Sequence, residues 1–132
     1  MRTRTKARQR AVEALFEAEQ RDTTPFEVLE RNPDTNEYAR ELVSIVAEHQ
    51  NRIDEILESY LSDRPLSRMP ALDRAIARVA VAELLHRDDI DTSVIVSQAV
   101  ELAELLSTDQ SAKFLNGLIG AIANMRGTFS TL

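Results

Sequence analysis

Apolar residues recur every three or four positions along nearly the whole chain, the spacing that places them on one side of an α-helix. The first stripe predicts a helix over residues 4–21. Later stripes predict helices that begin near Pro25, near Asn36 with a bend at Gln50–Asn51, at Pro70, after Asp91 or Thr92, and around Thr108. The sequence therefore predicts an all-α fold of about seven helices.

The best internal boundary lies at residues 62–70, where Pro65 and Pro70 stand among polar side chains. Either half would hold roughly 65 residues, a marginal size for independent folding. We therefore expect one compact domain over residues 1–132, made of two helical subdomains at about 1–62 and 66–126, with a disordered tail at 127–132. Gly117 and Gly120 interrupt the last apolar stripe, which suggests close approach of another helix.

Composition excludes several classes of protein. The 132 residues contain no cysteine, three glycines and four prolines, which removes disulfides and cysteine metal sites and disfavours a turn-rich β fold. No apolar run is long enough for a membrane span or placed as in a secretory signal. No glycine-rich phosphate loop is present, and His49 and His86 are far apart in sequence. We expect a cytoplasmic protein that is not an enzyme and uses no cofactor or metal.

Charge is distributed unevenly along the chain, whose net charge is −6. Residues 1–10 carry five basic side chains and no acid, whereas the other 122 residues carry 11 basic and 22 acidic side chains. A polyanion would be repelled by the acidic body and attracted to the basic end. If the chain binds nucleic acid, we expect the basic end to take part.

Three segments are specific strings: ARQRAVEALF at 7–16, RMPALDRAIARVAVAELL at 68–85, and a third that opens with AVELA at 99–103 and ends with SAKFLNG at 111–117. Together they resemble the NusB family of bacterial transcription antitermination factors, in the family's order and over nearly the whole chain. The resemblance implies an all-helical protein that binds boxA, a short single-stranded RNA element of ribosomal RNA leaders. It also implies a protein partner, NusE of the small ribosomal subunit, and recruitment to RNA polymerase to suppress premature termination.

Cations that hold an RNA backbone and aromatic faces that stack on bases are the chemistry this role requires. Arg4, Lys6 and Arg8 match the family's basic N-terminus, and Phe16 matches its aromatic position. Lys113 and Phe114 lie near the start of the last long helix. We expect these two helix starts to lie side by side as one basic face. The candidate RNA contacts are Arg4, Lys6, Arg8, Phe16, Gln110, Lys113 and Phe114.

The interpretation of Gln110 and Asp73 depends on the resemblance. Gln110 stands where many relatives carry an acid, so its neutral amide would remove a repulsion from RNA. Asp73 matches an acidic position that the family uses toward NusE, although an acid in the first turn of a helix also stabilises the helix dipole.

Packing in the core is the alternative interpretation of both Phe16 and Phe114.

An alternative function is that of a protein-binding helical module or a homodimer with no direct RNA contact. Some members of the family are fused to an RNA methyltransferase domain. Because 132 residues leave no room for such a domain, we expect no methyltransferase function unless this chain is a fragment.

Overall fold

The computed structural model describes residues 3–32, 36–62 and 64–129. These ranges contain no strand, which confirms the predicted all-α fold of about seven helices. None of their helices combines the length and the apolarity needed to cross a membrane. The helices are α1 (Thr3–Arg21), α2 (Pro25–Glu30), α3 (Glu37–Tyr60), α4 (Ala71–His86), α5 (Thr92–Leu106), α6 (Asp109–Asn124) and α7 (Arg126–Phe129), with a 3-10 turn at Leu66–Arg68.

Polar side chains cap the starts of α2 and α6. Thr24 accepts a hydrogen bond from the Glu27 amide at 3.2 Å, with Pro25 in the first helical position as predicted. Thr108 caps α6 by accepting from the Ser111 amide at 3.0 Å. Such caps satisfy backbone donors that the helix itself leaves unpaired. The predicted bend of α3 lies at His49, whose φ of −119° and ψ of 21° are not helical.

Helix α4 lies at the centre of the molecule, and side-chain bonds at its two ends fix the direction of its neighbours. Arg8, near the start of α1, donates a hydrogen bond to Glu83 near the end of α4. Arg74, near the start of α4, donates one to Glu19 near the end of α1. Helix α1 therefore runs antiparallel to α4. Ser111 bonds Asp73 near the start of α4, and Arg126 bonds the Leu84 carbonyl near its end. Helix α6 therefore runs parallel to α4.

One continuous core joins the two predicted subdomains. It includes Val12 and Leu42 from the first half of the chain and Ile76, Leu102 and Ile119 from the second. The predicted boundary at 62–70 lies in the connection between α3 and α4, which itself contributes the buried Leu66. The division into two subdomains stays a prediction.

The start of the predicted disordered tail is helical instead. Arg126 donates hydrogen bonds to the carbonyls of Leu84, Arg87 and Ile90, at 3.0, 2.6 and 2.8 Å, and to the Thr92 hydroxyl at 2.9 Å. These bonds fasten residues 126–129 to the end of α4 and to the loop that follows it. Residues 130–132 lie outside the described ranges.

The two histidines, far apart in sequence, stack on each other. Their ring centroids are 4.3 Å apart at an interplanar angle of 26°, so the bend of α3 packs on the last residue of α4. Partial burial, His49 and the charge of Arg52 lower the pKa of His86, and the carboxylates of Glu48 and Asp88 only partly oppose this effect.

The unfolded chain should bind more protons than the folded chain below about pH 6.5, the ordinary histidine pKa, because folding lowers the pKa of His86. We therefore expect the free energy of unfolding to fall as the pH drops from that value toward the folded-state pKa. The H86Q variant should show a smaller fall, measured by urea unfolding at a series of pH values between about 7.5 and 5.5. The chain has only two histidines, so the H49Q/H86Q double variant provides the baseline. An unchanged pH dependence in H86Q would contradict the expectation.

Candidate nucleic-acid interface

Arg8, an expected RNA contact, is buried. It is 4% exposed, and its Nε donates to both carboxylate oxygens of Glu83 at 2.9 and 3.0 Å. Its Nη1 donates to the Gln98 side-chain oxygen at 3.2 Å, and the Thr5 hydroxyl donates to the same oxygen at 2.8 Å. A guanidinium paired in this way cannot also bind phosphate without leaving Glu83 buried and unpaired. The assignment of Arg8 as an RNA contact is therefore corrected to a structural role.

Tyr38 completes this buried cluster from α3. Its hydroxyl donates to Glu83. Burial is the main cause of the raised pKa of Tyr38, and the Glu83 carboxylate raises this pKa further. The guanidinium carbons of Arg4 and Arg87 each lie 4.9 Å from its ring centroid, and that of Arg8 lies 5.9 Å away. The ring is thus already occupied by cations of the chain itself.

Two of the predicted cations at the start of α1 remain open to solvent. The side chain of Arg4 is 50% exposed, with its Nη2 4.0 Å from an Asp89 oxygen, and Lys6 is exposed. Hydrogen bonds from Arg87 lower the pKa of Asp89 to about 2, so that carboxylate is ionised and offsets part of the local positive charge. Arg2 lies outside the described ranges.

Phe16 does not lie with these cations. It is half-buried and packs against the core. Its remaining surface faces the groove between α1 and α2, together with Glu13, Val28 and Arg31. Twelve residues separate it from Arg4, which is about 18 Å along a helix. The core interpretation describes Phe16 better than a place beside Arg4 and Lys6.

The start of α6 presents three of the predicted residues together. Gln110, Lys113 and Phe114 are all exposed, Phe114 at 39% of its surface. Because positions three and four apart share a helix face, these side chains project from the same side. The Cζ of Arg64, from the connection between α3 and α4, lies 6.0 Å from the Phe114 ring centroid. The sequence analysis did not single out Arg64, because only the fold brings that connection over α6.

Asp73, the expected partner contact, is also buried, at 3% exposure. Its two carboxylate oxygens accept from the hydroxyls of Ser107 and Ser111, at 2.8 and 2.7 Å. The carboxylate holds the turn between α5 and α6 against the start of α4. Asp73 is therefore corrected from a surface contact to a residue that positions the start of α6.

The two groups of exposed cations do not meet in one face. Arg4 and Lys6 come shortly before Arg8, which is paired with Glu83 near the end of α4. Lys113 comes shortly after Ser111, which is bonded to Asp73 near the start of α4. Ten residues separate these acids, which at 1.5 Å per residue is about 15 Å along α4. The expectation that the two helix starts lie side by side is wrong, because α1 and α6 run in opposite directions along α4.

The glycines of α6 also differ from expectation. A Cβ at Gly117 or Gly120 would meet nothing within 4 Å outside its own stretch of helix, so close helix approach does not explain them. Gly117 instead leaves the surface next to Phe114 open.

The fold and this surface define a helical binding protein; the described ranges hold no group of three or more histidine, cysteine, aspartate or glutamate side chains that could bind a metal ion. A family model described as NusB family matches residues 5–124. The transcription antitermination protein NusB of Kineococcus radiotolerans is 49% identical over 135 residues, covering 98% of this chain and 99% of the relative. The chain belongs to the NusB family, a family of antitermination factors rather than enzymes.

Solved structures agree with this assignment. NusB of T. maritima superposes with a TM-score of 0.85 at 32% identity, covering 94% of this chain and 93% of that one. A chain in a crystal structure of antitermination factors NusB and NusE in complex with dsRNA superposes with a TM-score of 0.83 at 30% identity, covering 94% and 98%.

Replacing Arg8 should destabilise the fold strongly, because Glu83 would keep a buried charge without its partner. We expect R8A to lower the free energy of unfolding by about 3–5 kcal/mol. The exposed Lys6, on the same helix, is the matched control, and K6A should stay within about 0.5 kcal/mol of the parent protein. Urea unfolding measures both, and equal small losses for the two variants would contradict the buried pair.

Proposed function

We propose that this chain binds single-stranded RNA of the boxA type. We also propose that it acts with a protein similar to NusE, in the cytoplasm, to suppress termination by RNA polymerase. The observation that carries the proposal is the exposed Phe114 with Lys113 beside it, on an otherwise acidic body. An exposed aromatic ring offers a stacking platform, and a neighbouring cation neutralises phosphate.

The start of α6 suits an RNA strand in three further respects. Lys113 is the sole lysine or arginine between residues 88 and 125, so its charge is not part of a general basic surface. Gln110 supplies an uncharged amide that can donate to and accept from a base edge. The helix also directs partially positive backbone N–H groups toward this end.

Arg4 and Lys6 support a second group of phosphate contacts. Both are exposed at the start of α1, at the other end of α4 from Lys113. A strand that contacts both ends would run for at least about 15 Å across the molecule, as the spacing of Asp73 and Glu83 along α4 implies. Single-stranded RNA is flexible enough to follow such a path between separate cations.

RNA affinity should fall as salt rises. Contacts from Arg4, Lys6 and Lys113 to three phosphates predict a slope of about −2 for log affinity against log salt, at roughly 0.7 per neutralised phosphate of a single strand. The variant R4A/K6A/K113A should bind weakly with a slope near zero. Fluorescence anisotropy with a labelled boxA-type RNA between about 50 and 200 mM salt measures both quantities.

A control for that experiment removes three positive charges from other positions on the surface. Arg21, Arg40 and Arg68 are exposed and are not among the proposed contacts, so R21A/R40A/R68A should leave the slope unchanged. Identical slopes for the two triple variants would show that binding depends on net charge alone, against the proposed contacts. Binding that ignores salt altogether would refute the proposal.

The proposed protein partner should strengthen RNA binding. The similar crystal structure of antitermination factors NusB and NusE in complex with dsRNA supports a joint complex of the two proteins with RNA, although its RNA is double-stranded. Adding the NusE-like ribosomal protein of the same organism should raise RNA affinity, and RNA should raise the affinity for that protein by the same factor, because coupling between two ligands is reciprocal. Anisotropy titrations in both orders measure the two factors, and a factor of one in either order would argue against a joint complex.

Self-association without RNA contact is the alternative to exclude. Light scattering of the chain alone and with saturating boxA-type RNA distinguishes the two functions. A dimer that persists unchanged, with no RNA bound to it, would favour the protein-binding module.

A further inference from the structure

We propose that Arg64 and Phe114 form a sandwich site that holds one base of single-stranded RNA between a guanidinium plane and an aromatic ring. The inference deepens the proposed function and rests on it. It adds Arg64 as a base contact, with a role distinct from the phosphate contacts of the other exposed cations.

Phe114 differs from Tyr38, a second aromatic ring with cations near it. Tyr38 has three guanidiniums around its ring, and its hydroxyl is bonded to Glu83, so its surface is used within the fold. Phe114 has one guanidinium, 6.0 Å from the ring centroid, and keeps 39% of its surface exposed. Of these two rings, Phe114 is the one that can accept a base.

Arg64 is free to move in a way that Arg87, beside the Tyr38 ring, is not. Arg87 is held by Glu41 and Asp89. Arg64 is exposed and makes no ion pair with any residue in the part of the chain that the structure describes. An exposed contact between a guanidinium and a phenyl ring is weak, so opening it costs little.

The spacing between the two groups is close to that of a sandwich. Stacked bases rise by about 3.4 Å, so one base between two planes needs about 6.8 Å. The Cζ of Arg64 lies 6.0 Å from the ring centroid of Phe114. A small outward movement of the flexible arginine side chain, whose planar group stacks on aromatic faces, would make room for a base.

Open space adjoins the pair on both sides. One groove of about 390 Å³ lies toward Pro65, Met69 and Gln110, and another of about 420 Å³ lies toward Tyr60 and Gly117. Both grooves are lined by Arg64 and Phe114. A strand could therefore enter along one groove and leave along the other, with Lys113 beside the second groove to meet its phosphate.

The test compares Arg64 with Arg68, an exposed arginine of the same connection that lines neither groove. F114A should weaken binding of a labelled boxA-type RNA by about 5- to 150-fold, the range measured for loss of one stacked base. R64A should weaken it by about 5- to 30-fold. R64K should fall in between, because lysine keeps the charge but has no planar group. R68A should change affinity by less than about 2-fold.

A double variant separates a sandwich from two independent contacts. R64A/F114A should bind no more weakly than F114A alone, because the guanidinium stacks on a base that the ring no longer holds. In RNAs that lack one base at successive positions, a single position should abolish the effect of R64A. Thermal unfolding should be nearly unchanged by R64A, since the contact it removes is exposed.

Each outcome has a definite meaning. Equal losses for R64A and R68A, equal binding by R64K and the parent protein, or independent losses in R64A/F114A would overturn the sandwich while leaving RNA binding intact. No binding of any single-stranded RNA by the parent protein would overturn the proposed function itself.

Discussion

The buried ion pair between Arg8 and Glu83 is the interaction on which the arrangement of the helices depends. It joins α1 to α4, and through Tyr38 and Gln98 it also involves α3 and α5. Each partner carries a charge that would be costly to bury alone, so the pair forms only when these helices meet in one register. It thereby fixes the start of α1 at one end of α4 and leaves Arg4 and Lys6 at the surface.

Asp73 plays the corresponding part at the other end of α4. Two serine hydroxyls donate to it, which holds the turn before α6 in place. No buried side-chain nitrogen or oxygen in the ranges that the structure describes lacks a hydrogen-bond partner, as expected where buried polar groups are costly to leave unpaired. The two acids of α4 therefore organise the body of the protein, and the proposed RNA contacts come from exposed residues that adjoin them.

The local features of the fold were predictable, and its long-range pairings were not. Helix periodicity, the cap at Thr24 and the bend of α3 depend on neighbours within a few residues. Arg8 and Glu83 are 75 residues apart in sequence, and nothing local pairs them. The sequence does indicate that Arg8 is buried, because Arg8 lies beside Ala7 and one turn before Ala11 and Val12, on the apolar face of α1. The position of Arg64 over Phe114 had no such signal, since an irregular connection carries it.

The length of α4 determines how long an oligonucleotide must be to contact the exposed cations at both of its ends. Its two ends hold separate groups of exposed cations, at least about 15 Å apart by the helical rise. Stacked nucleotides advance by about 3.4 Å, so this span corresponds to about four to five nucleotides. With the proposed contacts, a shorter oligonucleotide would reach one group only, and the avidity of two linked contacts would be lost.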